Sequence, residues 1–247
     1  MMIPARLSAA AMAALALLAG CGDKSAPVVA DQPVAAVAPP AGTEWTDRIE
    51  KTAEGGYRMG NPAAPVKLVE YAAYTCPHCR DFAAAANQPL RDDFVKTGRV
   101  SWEYRPFLLS GADVAPALLA QCQGPGAFFS LTEEVFANQS AWTAPLIAMN
   151  DAERQRLSAL APAQQFRAMG ETMGLPAFFR QRGLTQAQID KCLSDGKAAD
   201  ALADATKRAV EEDKVTGTPA FLINGRLQED VLEWPALRAK LNAATGA

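Results

Sequence analysis

Histidine is almost missing from this chain, and so is an excess of charge of either sign. One His and five Cys among 247 residues exclude a zinc enzyme built on several His ligands. The 24 basic and 27 acidic residues leave a net charge of −3. A nucleic-acid binder needs a basic face to neutralise phosphates, so that class is excluded as well. No repeat recurs at solenoid periods. Long apolar runs are absent except at the extreme N-terminus. What is present is an ordinary globular composition, 49% apolar and 21% charged, with room for one large domain or two small ones.

The N-terminal run has the build of a secretory signal over residues 1–20. Arg6 gives a charge, Leu7 to Ala19 is apolar apart from Ser8, and small residues follow. It is too short for a comfortable membrane span. Leu18-Ala19-Gly20-Cys21 resembles a bacterial lipobox, which implies acylation of Cys21 as the first mature residue. From Gly22 to Glu44, Ala, Pro and Val supply 14 of 23 residues. Without aromatic residues or an amphipathic period, such a segment is expected to stay extended and unstructured, as a tether over 21–44. Acyl chains on Cys21 would anchor it to a bilayer. That places the chain on the periplasmic side, where disulfides persist.

Val66 to Tyr71 is β-branched and apolar enough for a buried strand. Cys76-Pro77-His78-Cys79 then opens a helical pattern carrying Phe82, Ala86, Leu90 and Phe94, with Pro89 inside it and Gly98 as its stop. Pro77 suits the first helical position, which makes Cys76 the N-cap. Its sulfur then sits over free N–H groups at the positive end of the helix dipole, where a thiolate is favoured. Cys79, one turn on, lies behind it. The spacing gives one attacking and one resolving sulfur. Half of a zinc site is the rival reading, but no second pair stands at a suitable offset. A purely structural disulfide is another, but a two-residue loop constrains the unfolded chain little.

The strand, the Cys-Pro-His-Cys helix start and the later Gly217-Thr218-Pro219-Ala220-Phe221-Leu222-Ile223-Asn224-Gly225 resemble the DsbA-like thiol:disulfide oxidoreductases of the thioredoxin superfamily. The resemblance implies an α/β, thioredoxin-like fold with an inserted all-helical domain. It assigns 45–110 and 206–247 to the thioredoxin-like part and 111–205 to the insertion. It implies a cis Thr218–Pro219 bond packed on Cys76, with Thr218 and Pro219 binding extended substrate as an added strand. It gives His78 the role of stabilising the Cys76 thiolate, against the plain reading of an inert surface residue. It gives Glu70 the role of a buried acid that moves the proton of Cys79, against a strand-end carboxylate facing water. The activity implied is donation of the Cys76–Cys79 disulfide to reduced or misoxidised polypeptides. Thr218 leaves reduction or isomerisation open, since the best-known oxidases carry Val there. A DsbB-like quinone reductase would reoxidise the pair; a DsbD-like donor would serve a reductase. No organic cofactor or metal is required. The rival from another class is a thiolate metal-binding or peptide-binding lipoprotein. No long heptad is visible, so a monomer is expected.

Between Gly111 and Thr206 the pattern permits helices at 114–123, 128–138, 151–157, 162–173, 176–182 and 186–193, punctuated by glycines. A last amphipathic helix fits 233–243. Trp142, Phe128 and Phe129 read as core. Cys122 and Cys192 both fall in the helical block. Outside the cytosol two such residues are expected to pair, as a structural disulfide closing a 70-residue loop. Two separate buried thiols are the alternative.

Overall fold

The computed structural model describes residues 28–30 and 32–246. Its centre is a six-stranded mixed sheet in the order β1-β2-β4-β3-β5-β6. The strands are β1 (Ile49–Lys51), β2 (Tyr57–Met59), β3 (Val66–Ala72), β4 (Val100–Pro106), β5 (Ala220–Ile223) and β6 (Arg226–Leu227). β3 runs parallel to β4 and antiparallel to β5, with Glu70 level with Tyr104 on one side and Phe221 on the other. Successive side chains of a strand point to opposite faces. Leu68 and Ala72 therefore enter one buried cluster, while Val69 and Tyr71 enter a second on the opposite face. That two-sided burial is why the segment reads as continuously apolar. Asn224 and Gly225 turn β5 into β6, both at positive φ (50° and 75°), as a two-residue hairpin requires.

Helix α1 (Pro77–Leu90) lays Phe82, Ala86 and Leu90 on the sheet. Pro89 lacks the N–H that an interior helical bond needs. Just beyond it the helix widens into a π turn, Arg91–Val95. The insertion contributes α2 (Val114–Ala120), α3 (Pro125–Ala137), α4 (Gln139–Ala148), α5 (Asp151–Ser158), α6 (Pro162–Thr172), α7 (Leu175–Arg180), α8 (Gln186–Leu193) and the start of α9 (Gly196–Glu211); α10 (Trp234–Thr245) ends the fold. The inserted helices have no separate core. Leu118, Phe128, Phe129 and Phe136 join the cluster formed by β3 and α1. Phe128 stacks on Tyr57 at 3.8 Å between centroids, and Phe129 tilts over Trp102 at 4.8 Å.

Two boundaries differ from the sequence reading. α4 fills the gap between 138 and 151, with Trp142 buried on it. α9 runs straight through the expected 205/206 boundary. Ala199 and Leu202 lie in the main cluster, and Ala209 lies under the far face of the sheet. One helix thus ties the insertion to the sheet.

The Ala/Pro-rich stretch needs a correction as well. Over 32–44 it is not a free tether but a strap on the folded body. The N–H groups of Val34 and Val37 donate to Thr245 O and Thr97 O, both at 2.9 Å. Just before it, Ala30 N–H donates to Ala243 O at 3.0 Å, and Val28 packs on the main cluster. Trp45 Nε1–H holds Val37 O at 2.6 Å. Its prolines do keep it extended, and an extended backbone offers its N–H groups to carbonyls that a helix C-terminus and a turn leave without a partner. Gly98 makes the approach possible: a Cβ there would stand 2.4 Å from Val37 O. The signal-like run and Cys21 lie outside the described residues. Among the described residues no helix is long and apolar enough to cross a membrane.

Candidate active site

The loop from Ala72 to Cys76 joins β3 to α1, and groups from beyond it fix each turn of its backbone. Tyr104 Oη–H and Phe107 N–H both donate to Ala72 O, at 3.2 and 2.9 Å. The Thr75 N–H donates to Asp113 Oδ1 at 2.8 Å. Gln139 Nε2 donates to Tyr74 O at 2.7 Å and to Cys76 O at 2.8 Å. Tyr74 Oη meets Thr132 Oγ1 at 3.0 Å. Cys76 is thereby set as N-cap with extended backbone (φ −75°, ψ 119°), and Pro77 takes the first helical position.

In this geometry Cys76 Sγ accepts from the Cys79 N–H at 3.4 Å and donates to Thr218 O at 3.2 Å. The two cysteines are both free thiols and both buried. Their acidities are driven apart. The Cys79 thiol, hydrogen-bonded to the Cys76 sulfur, does most to pull Cys76 down to about 5, against the cost of burial; Thr218 and the N–H groups of Cys79 and His78 add to it. Burial first, then the Cys76 thiolate, pushes Cys79 far above the ordinary thiol range. The Thr218 hydroxyl is buried with no other partner and lies toward both sulfurs, whose thiolates it favours. It is a spare donor where sulfur charge develops. The Thr218–Pro219 bond is cis and brings the Thr218 carbonyl to Cys76.

Sequence comparison agrees with this constellation. The profile of a family described as thioredoxin matches residues 52–243. The chain belongs to the thioredoxin family. Within that family it is similar to a solved protein-disulfide isomerase of Novosphingobium aromaticivorans, at 34% identity and a TM-score of 0.77. The match covers 79% of this chain and all of that one. The alpha-DsbA1 of Wolbachia pipientis shares the fold at 20% identity and a TM-score of 0.62, over 77% of this chain and 91% of its own. A candidate protein-disulfide oxidoreductase of Rickettsia bellii is 24% identical over 176 residues, 71% of this chain. This chain spans only 59% of that relative's length. The fold is the thioredoxin-like one with a helical insertion that these solved structures share.

The remaining residues singled out by sequence fall on both sides of this family site. Glu70 is fully buried, facing neither water nor the strand's end. Trp102 Nε1–H donates to its Oε2 at 2.9 Å, and burial above all raises its pKa to about 8. Glu70 sits in a tight crevice lined by Trp102, Tyr104, Asn87, Phe129 and Glu133, with no room for a water molecule. Tyr104 links the two regions, level with Glu70 across β3 and β4 and with its hydroxyl on Ala72 O at the start of the reactive loop. The His78 ring is exposed, and it is this residue's backbone N–H that serves Cys76. Cys122 and Cys192 are bonded (S–S 2.04 Å, Cα–Cα 6.0 Å) and lie away from the reactive pair, between α2 and α8. Among the described residues no three His, Cys, Asp or Glu gather as a metal site.

Sequence reasoning missed Gln139, Asp113, Thr132, Trp102 and Tyr104. Trp102 and Tyr104 did leave a signal, because Ser101 to Arg105 alternates in the period of a strand. Gln139 left none, since its side-chain partners are backbone carbonyls 63 and 65 positions away. Asp113 left only the mark of a helix start, a capping box with Ser110, which says nothing of its reach to Thr75 N–H.

Proposed function

We propose that this protein is an extracytoplasmic thiol:disulfide oxidoreductase of DsbA-like type, acting on polypeptides. The observation that carries the reading is the division of labour between two sulfurs three positions apart: Cys76 caps the helix and accepts the Cys79 N–H, which favours its thiolate, while burial keeps Cys79 a thiol. In the oxidised form a substrate thiolate attacks Cys76 Sγ. The Cys76–Cys79 bond breaks, the electron pair stays on Cys79, and Cys79 takes up a proton. The substrate's second thiolate then attacks its own sulfur in the mixed disulfide. Cys76 leaves as a thiolate, and low basicity makes it a good leaving group. Substrate gains a disulfide, the enzyme ends with Cys76 as thiolate and Cys79 as thiol, and the second substrate proton goes to solvent, so electrons and protons balance with thiols alone.

In this reading Glu70, protonated near neutrality by burial, stores the proton that Cys79 needs. Thr218 and Pro219 receive the substrate as an extended strand beside Cys76. Reduced or misoxidised polypeptides are the substrates, and a DsbB-like quinone reductase restores the disulfide. Cys21, acylated, attaches the protein to the membrane.

Isomerase or reductase work is the second reading. Thr218 before the cis proline favours it, and so does the name of the Novosphingobium relative. The reduction potential of Cys76–Cys79, measured by equilibration with glutathione, separates an oxidase from a reductase. Stabilising the Cys76 thiolate stabilises the reduced form, so we expect a potential well above the roughly −270 mV of thioredoxin. A value at or below that figure would replace the oxidase with a reductant.

A further inference from the structure

Gln139 touches neither sulfur, yet it is the residue of the insertion that grips the reactive turn most directly. It is 3% exposed, at the first position of α4. One amide nitrogen bridges two carbonyls, Tyr74 O at 2.7 Å and Cys76 O at 2.8 Å. The Cys76 carbonyl also accepts the first bond of α1, from Arg80 N–H at 3.2 Å. Both of its lone pairs are thus engaged. The Gln139 backbone is held as well, because its main-chain carbonyl accepts from Thr143 Oγ1 at 2.8 Å. The neighbouring Ser140 Oγ takes Arg80 Nη1–H at 3.3 Å on the far side of Cys79.

Two consequences follow for the sulfur. Fixing the Cys76 carbonyl fixes ψ of Cys76, which aims Sγ at the N–H groups of the first turn. Pairing both carbonyls with N–H donors also offsets their negative ends beside a sulfur that must carry charge in a poorly hydrated place.

We propose that Gln139 is the positioning residue through which the helical insertion sets the acidity and the oxidising strength of Cys76. The proposal rests on the thiol:disulfide reading above. Without the amide, Tyr74 O loses this donor, Cys76 O keeps only Arg80 N–H, and the N-cap loosens. The thiolate is then less favoured, the reduced form is less stable, and the disulfide is a weaker oxidant.

The groups bearing on Cys76 are the Cys79 thiol and N–H, the His78 N–H and Thr218. Substitutions at Gln139 leave all of them in the chain. The test is the thiolate absorbance of reduced protein followed against pH, paired with the glutathione redox equilibrium. Gln139→Met keeps the shape and removes both donors. Its Cys76 midpoint should rise by about one unit, with a tenfold shift of the redox equilibrium toward the disulfide, about 30 mV. Gln139→Asn keeps an amide that is too short to bridge, and should move the midpoint the same way by less. Thr132→Val, which cuts the Tyr74 hydroxyl contact at the same corner, should lower stability and leave the midpoint in place. Folded Gln139→Met or Gln139→Asn with the parent midpoint and potential overturns the proposal. So does a Thr132→Val shift as large as that of Gln139→Met, because the corner would then matter only as structure. Failure of the wider reading looks different: the unsubstituted protein itself would show no thiol ionising in the acid range.

Discussion

Two pairs of cysteines sit in this protein, and almost everything about them is opposite. Cys76 and Cys79 are three positions apart in the chain, unbonded and buried. Cys122 and Cys192 are 70 positions apart, bonded and only half-buried. Sequence separation accounts for part of the contrast. A bridge over two residues removes little freedom from the unfolded chain, whereas one over 70 removes a great deal. Surroundings account for the rest. The close pair stands at a helix N-terminus among spare N–H donors that stabilise a free thiolate. The distant pair joins the turn after α2 to the last turn of α8, with Cys122 Sγ against the Gln188 carbonyl and not at a helix N-terminus. A short loop plus a stabilised thiolate makes a bond easy to give away, and a long loop without one makes a staple.

The largest effect that could break this contrast is on turnover. Cys76→Ser should lower peptide-thiol oxidation by at least about 10³-fold, because the attacked sulfur is gone. The double change Cys122→Ser and Cys192→Ser should leave turnover within about twofold under conditions where the protein is folded. Loss of turnover in the double variant would make the distant pair part of the chemistry.

Stability should answer with the opposite pattern. The double variant should lose roughly 4 kcal/mol in urea unfolding, the chain-entropy figure for such a loop. Reducing only Cys76–Cys79 should raise stability at pH 7, since the thiolate formed is favoured in the folded state alone. A mild reductant should therefore open the close pair first. If reduction of that pair destabilises the protein, the thiolate is not as well held as the geometry requires.

Acidity sharpens the contrast within the close pair's own surroundings. Cys76 is lowered to about 5, so between pH 5 and the ordinary thiol range the folded state is ionised and the unfolded one is not. Its contribution to reduced-state stability rises with pH over that window and vanishes below 5. Glu70 is raised from 4.5 to about 8, so it works the other way. Its contribution is complete below 4.5 and is lost as pH rises toward 8, because only the unfolded state ionises in between. The two slopes oppose each other from pH 5 to 8. Cys76→Ser removes the first. Unfolding free energy should then fall by up to about 1.4 kcal/mol per pH unit across the window. Adding Glu70→Gln should flatten it. A Cys76→Ser profile already flat would mean that Glu70 is ionised where it lies.

How much of this was legible before the structure depends on how local each cause is. The N-cap role of Cys76 follows from Pro77 and the spacing to Cys79, all within one turn, and the residues carry it openly. The Asn224-Gly225 hairpin is equally local. Glu70 is different. Its polarity argued for water as much as for burial, and only the pairing of β3 with β4 brings Trp102 over it. The three-residue strands β1 and β2 have no local pattern long enough to read, and exist by pairing with each other and with β4. The strap over 32–44 has the composition of an unstructured linker. Its order comes from carbonyls at Thr97 and Thr245, at sites that no periodicity could connect to it. Gln139 is the extreme case: an ordinary polar residue in a helix, made important by two carbonyls 63 and 65 positions earlier.

The smallest effect expected is that of His78, and it tests whether exposure or adjacency decides what a neighbour does to Cys76. Adjacency made the ring a natural candidate for holding the thiolate. The structure leaves the ring in solvent and gives the sulfur this residue's N–H instead. His78→Ala keeps that N–H. What it removes is an exposed ring, whose pull on the sulfur is weakened by water and by dissolved ions. The Cys76 midpoint should rise by less than about one unit, and the rise should shrink further as salt approaches about 1 M, where the screening length is near 3 Å. The shift from Gln139→Met, made through buried hydrogen bonds, should not respond to salt. A His78→Ala shift larger than that of Gln139→Met and insensitive to salt would reverse the ranking. The ring would then be folded over the sulfur in solution, and the contrast between the pairs would rest on a side chain that the sequence pointed to first.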